Sequence, residues 1–159
     1  MAKFEKMRSD ALMEKNKAVF KSMELEEKAE AIEKKKAEVE EGISRIPKDL
    51  PEELQAEIDR AIAKTRTDIK SEAREISDAS KEAQDDADKS FDKMMEDGRD
   101  LQRKGDKLSE LNSVPLLGAF AEAKGKELLD HGEQMLDIAK ETQEHSDKLA
   151  ETRRKMQSI

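Results

Sequence analysis

The sequence predicts an all-α fold in which long antiparallel helices form an elongated helical hairpin or coiled-coil bundle. Apolar residues recur in alternating steps of four and three between Leu25 and Ile46, which places one narrow apolar stripe on a helix. Charged residues make up 44% of the chain, a content typical of long solvated helices. Only three prolines and six glycines occur in 159 residues, so one all-helical domain over residues 1–159 is expected.

The first helix is predicted over residues 4–43. Its narrow stripe can be buried only against another helix. Gly42 comes at its end, and Pro47 and Pro51 cannot continue it. The chain is therefore expected to turn between residues 42 and 51.

The middle helix is predicted over residues 50–111. Asp49 and Glu52 fit a capping box, and Pro51 falls in the first turn, where its missing N–H removes no helical hydrogen bond. The weakest stretch is 77–88, which is rich in Ser and Asp. Two alternatives follow: one continuous helix, which is favoured, or a break that makes the fold a bundle of four helices.

The last helix is predicted over residues 116–157, after Pro115. One column of its stripe repeats every seven residues and comprises Val114, Ala121, Leu128, Met135, Thr142, Leu149 and Met156. Gly118, Gly125 and Gly132 are also seven residues apart. Glycine costs roughly 1 kcal/mol against alanine inside a helix, so this spacing favours a close approach of two helix backbones.

Large residues on the stripes are the predicted contacts with partner helices, and charged flanks would set the register. The predicted anchors are Ile69, Ile76, Phe91, Leu101, Leu128 and Met135. The partner helices would come either from further copies of this chain or from a different protein.

The segment from Val114 to Phe120 concentrates apolar residues at the turn between the last two helices. Leu116, Leu117 and Phe120 are candidates for contact with a membrane surface or with the groove of a partner. The alternative is that this tip folds beneath its own two helices.

The two histidines, His131 and His145, are fourteen residues apart on one helix face. Because histidine titrates near neutral pH, they are candidates for a pH-sensitive seam. The alternative places both at the edge of the stripe, with their polar ends in water.

Composition excludes several classes of function. The chain has no cysteine, so disulfide and thiolate chemistry are impossible. No apolar signal segment is evident near residue 1, and the expected location is the cytoplasm, or outside the cell after export without a cleavable signal. The isoelectric point is near 5.0 and basic residues are scattered among acidic ones, which argues against a nucleic-acid partner.

No enzyme activity is expected. Carboxylates are abundant, but nothing indicates a dry pocket that would separate their pKa values. No phosphate-binding glycine loop and no nucleophile elbow occur, and neither histidine has a second His or Cys three or four residues away. We therefore expect no catalytic residue, cofactor, metal or small-molecule substrate.

The segment from His131 to Ile138 resembles the centre of a Q-type SNARE motif, in which a layer-forming Gln is followed by Gly-Glu and then by apolar layers. The segment from Lys104 to Leu111 is similar to the corresponding part of an R-type motif. The ionic-layer position carries His131 or Lys104 instead of Gln or Arg, and the resemblance covers about a third of the chain. It implies a coiled-coil partner in a parallel four-helix complex and a role in membrane fusion.

The leading functional prediction is a non-enzymatic interaction or scaffold protein that acts through coiled-coil or bundle association. One alternative is an accessory, chaperone or targeting subunit of a secretion system that pairs with the helices of a larger effector, a role that suits small, acidic, cysteine-free helical proteins. A second is a SNARE-like fusion factor. A third is a protein that acts on membrane surfaces through the 114–120 tip.

Overall fold

A computed structural model describes residues 2–159 as three long helices that pack against each other, with no strand in that range. Helix α1 spans Ala2–Ser44, α2 spans Glu52–Ser109 and α3 spans Gly118–Gln157. The predicted all-α fold is confirmed. No described helix contains an apolar stretch long enough to cross a membrane.

Helix α2 runs without a break through residues 77–88, so the four-helix alternative is wrong. The serines that weaken this stretch in isolation lie on its packed face: Ser77 and Ser80 are both buried. Small side chains on that face can be covered by neighbouring helices, and tertiary packing then outweighs low helix propensity.

Between α1 and α2, the chain turns through two backbone hydrogen bonds, from the N–H of Arg45 to the carbonyl of Gly42 and from that of Ile46 to Ile43. Pro47 follows, and the N–H of Gln55 bonds to the carbonyl of Pro51 as α2 begins. The prolines therefore mark both ends of this connection, as the sequence predicts.

The chain divides into two compact units, and the first comprises residues 2–20 and 83–147. In this unit α1 runs parallel to α3 and antiparallel to α2. Lys15 forms an ion pair with Glu141 at 2.9 Å, and the Ser90 hydroxyl donates to Glu14 at 3.3 Å. The buried core consists of Ala11, Met94, Leu101, Met135, Ile138 and Ala139.

The second unit comprises residues 21–82 and 148–159. Its buried apolar residues include Leu25, Ala29, Ile32, Ile69, Ala73, Ile76, Leu149 and Met156. On its surface, Arg66 donates two hydrogen bonds to the Glu40 carboxylate, at 3.0 and 2.9 Å. These bonds lower the pKa of Glu40 because they favour its ionised form.

Candidate functional site

The six predicted anchors lie within the chain's own bundle. Ile69, Ile76, Leu101 and Met135 are buried, and Phe91 and Leu128 are half-buried against the core of the first unit. A heptad stripe requires a facing helix but does not say which chain supplies it, and here the same chain does. In this structure they pack within the fold, and their contact with a partner helix stays a prediction.

Glycines bring α2 and α3 into backbone contact along a segment that we call the hairpin arm, residues 98–132. A Cβ atom at Gly105 would lie 2.8 Å from the Gly125 carbonyl oxygen, and one at Gly132 would lie 2.8 Å from the Gly98 carbonyl oxygen. Real Cβ atoms essentially never approach a backbone oxygen so closely, so Gly105, Gly125 and Gly132 require glycine. A Cβ at Gly98 would be nearest to the Leu136 side chain, at 2.9 Å, and would lie 3.1 Å from the Gly132 carbonyl oxygen. The close packing predicted from the spacing of Gly125 and Gly132 is confirmed.

Helix α1 reaches only the base of this arm. The ring of Phe4, in its first turn, stacks on His131 with a centroid separation of 3.6 Å and an angle of 3° between the planes. Because α1 is parallel to α3 and begins at Ala2, its described residues do not extend further toward the turn. Within residues 2–159, α2 and α3 form the arm beyond His131, and they contact each other there through their glycines.

The end of the arm is a tight turn. Backbone N–H groups of Leu111 and Val114 bond to carbonyls three residues back, and that of Gly118 bonds to the carbonyl of Val114 at 2.8 Å. Leu116 has a φ of 72°, in the left-handed region that leucine rarely adopts. A Cβ at Gly118 would collide with the Asn112 carbonyl oxygen, so glycine is needed where α3 begins.

This turn presents a cluster of apolar side chains to the solvent, which we call the apolar tip. Its members are Leu111, Val114, Leu116, Leu117 and Phe120. Leu116 is fully exposed, and Phe120 is 65% exposed. The alternative in which the tip folds beneath its own helices is therefore wrong.

Sequence reasoning placed Val114 in the apolar segment and named Leu116, Leu117 and Phe120 as its candidate contacts, but it missed Leu111. A usable signal was present: residues 111–121 contain no charged side chain in a chain that is 44% charged. The turn therefore has few polar side chains that could shield its apolar ones from solvent. With only Asn112 and Ser113 as polar side chains, the tip is suited to bind an apolar surface.

No group of three or more His, Asp or Glu side chains within residues 2–159 is arranged to hold a metal ion. His131 is mostly buried between Phe4 and the edge of α3, with its Nε2 3.9 Å from a Glu127 carboxylate oxygen. His145 is half-buried further along α3. The pH sensitivity of these histidines stays a prediction.

The SNARE-like segment of α3 contributes Met135 and Ile138 to the chain's own core, where they pack with α1 and α2. Pairing with three external helices would first require this core to open. Comparison with protein-family models, curated proteins and solved structures finds no match to this chain.

Proposed function

We propose that the protein is a non-enzymatic interaction protein whose helical bundle supports the hairpin arm and presents the apolar tip to another molecule. The exposed cluster at the end of the arm carries this proposal. The apolar stripes of the three helices pack against each other within this chain, and the tip is an exposed apolar surface outside that packing.

Two unfavourable features coincide at the tip. Apolar side chains that stay in water contribute no free energy of burial, and grouped exposed apolar residues on soluble proteins mark interaction sites. Leu116 also holds a backbone conformation that costs a non-glycine residue about 1–2 kcal/mol. A bound partner that covers these side chains would compensate for both.

Site-specific photo-crosslinking in cells tests the proposal. Phe120→benzoylphenylalanine places the reactive group at the tip, and Phe20→benzoylphenylalanine is the matched control because Phe20, on α1, is 67% exposed. We expect specific adducts from position 120 and none from position 20. Absence of adducts from position 120, with the variant present and folded, would contradict the proposal.

A second candidate function is supported by the outer face of α1, where Met13 and Phe20 are exposed seven residues apart. That spacing suits a helix docked lengthwise, as in an accessory protein that pairs with the helices of a larger effector. Adducts from position 20 with a protein, and none from position 120, would favour this candidate over the tip.

A further inference from the structure

We propose that the apolar tip inserts into the surface of a phospholipid bilayer. This inference rests on the proposed function, since it names what the tip binds. The tip residues Leu111, Val114, Leu116, Leu117 and Phe120 would enter the boundary between headgroups and acyl chains. The helices of the arm would remain outside the hydrocarbon.

The size of the tip favours lipid over a protein surface. Stable protein interfaces involve about 20–30 residues on each side. The apolar tip offers five, at the end of an arm where only two helices meet. A bilayer needs no matching surface and accepts a small apolar protrusion of any shape.

Much of the backbone of the turn is hydrogen-bonded within the hairpin. The N–H groups of Leu111, Asn112, Val114, Leu117, Gly118 and Ala121 all donate to carbonyls within the hairpin. Pro115 has no N–H to satisfy. Unsatisfied backbone groups are the main obstacle to placing a turn in lipid, and most of those in this turn are satisfied internally.

Charge favours approach with the tip first. The hairpin arm, residues 98–132, contains six basic and six acidic side chains, whereas the whole chain has a net charge of −8. The excess negative charge therefore lies outside the arm, and an anionic membrane would repel the rest of the chain. The nearest charges to the tip are Glu110 and Glu122, and Glu122 is paired with Lys126 at 3.6 Å. Binding should therefore depend on apolar contact and need no anionic lipid.

Flotation of the full chain with phosphatidylcholine vesicles tests the inference. We expect reversible partitioning comparable to that of a single myristoyl chain, with a constant of about 10⁴ M⁻¹. Phe120→Asp should reduce it about tenfold or more, whereas Leu54→Asp, a change at an exposed apolar residue in the first turn of α2, should leave it within about twofold. Circular dichroism confirms that both variants stay helical.

A fluorescence measurement gives a second readout. The chain has no Trp, so Phe120→Trp and Phe20→Trp each introduce a unique probe. With phosphatidylcholine vesicles we expect a blue shift and quenching by brominated acyl chains for the probe at position 120 alone.

Several outcomes overturn the inference. They are no partitioning of the unaltered chain, equal loss on Phe120→Asp and Leu54→Asp, or binding that requires phosphatidylglycerol and disappears with salt. If crosslinking from position 120 yields a protein adduct while vesicles are not bound, the proposed function stands and the bilayer inference fails. If position 120 yields no adduct and vesicles are not bound, both fail.

Discussion

Leu116 combines two features that a residue optimised only for folding would avoid. Its φ of 72° is a conformation that glycine adopts freely and leucine does not, and its side chain is fully exposed. Glycine would relieve the backbone strain, and a polar residue would suit the exposure. A leucine serves neither purpose in the isolated chain, which is why the residue points to binding.

Leu116→Gly should therefore raise the free energy of unfolding by about 1 kcal/mol, because it removes the left-handed strain. Urea denaturation followed by circular dichroism measures the change. Leu117→Gly is the control: Leu117 has no positive φ, so the same replacement there should lower stability by about 0.4–1 kcal/mol through a more flexible unfolded state. Equal effects at both positions would show that strain at Leu116 is unimportant.

The same variant separates folding from function. If the tip binds another molecule through its apolar side chains, Leu116→Gly should stabilise the fold and weaken binding at once. A variant that gained stability and kept full binding would remove Leu116 from the contact.

Individual residues were predicted unevenly. Leu116, Leu117 and Phe120 follow from their position between two helices, but their exposure depends on tertiary packing, which the sequence does not state. The anchors Ile69 and Met135 lie on stripes as predicted and are buried within the chain, and their contact with a partner stays a prediction. A stripe reports that a facing helix exists, and both a partner and the chain itself can provide one.

At the level of helices, the hairpin arm depends on glycine pairs in place of large side chains. Gly105 faces Gly125, and Gly98 faces Gly132. Close backbone approach lets two helices gain contact without a third. Each glycine lowers the intrinsic stability of its helix, so the close packing of the two backbones must offset that loss.

Gly105→Ala should lower the free energy of unfolding by about 1–3 kcal/mol, because its methyl group would meet the Gly125 backbone and force α2 and α3 apart. Gly42→Ala is the matched control within α1. Nothing lies within 4 Å of a Cβ there, so alanine should raise stability by up to about 1 kcal/mol. Both values come from urea denaturation, and stabilisation by Gly105→Ala would contradict the described packing.

The helices were the most predictable feature because their ends carry strong local signals. Predicted bounds of 4–43, 50–111 and 116–157 differ from Ala2–Ser44, Glu52–Ser109 and Gly118–Gln157 by two residues at most. Pro47, Pro51 and Pro115 account for this agreement. The pairing of Gly98 and Gly105 with glycines of α3 was not predicted, since it depends on the antiparallel register of two helices.

For the whole molecule, the decisive observation is that the stripes of α1, α2 and α3 are buried within one chain. The largest fully buried side chains, Met135 and Leu149, belong to this internal packing. The chain therefore does not need a second copy to bury its heptad stripes, a point that the sequence alone left open.

Light scattering across a concentration series should return a mass of 18.0 kDa, and circular dichroism on the same samples should show a helical content near 89%. Intramolecular burial of the stripes is the reason. A mass that rises with concentration, with helicity rising alongside it, would show that the stripes pair between chains.

The seven-residue spacing of the glycines determines by how much the hairpin arm can change in length while its helix contacts are kept. Adding seven residues to each helix between the glycine pairs would preserve both pairs while extending the reach of the turn by about 10 Å. A variant of this chain with that insertion would carry the same apolar turn farther from the rest of the bundle. The spacing of the paired glycines therefore sets the length of the hairpin arm in steps of seven residues, about 10 Å each.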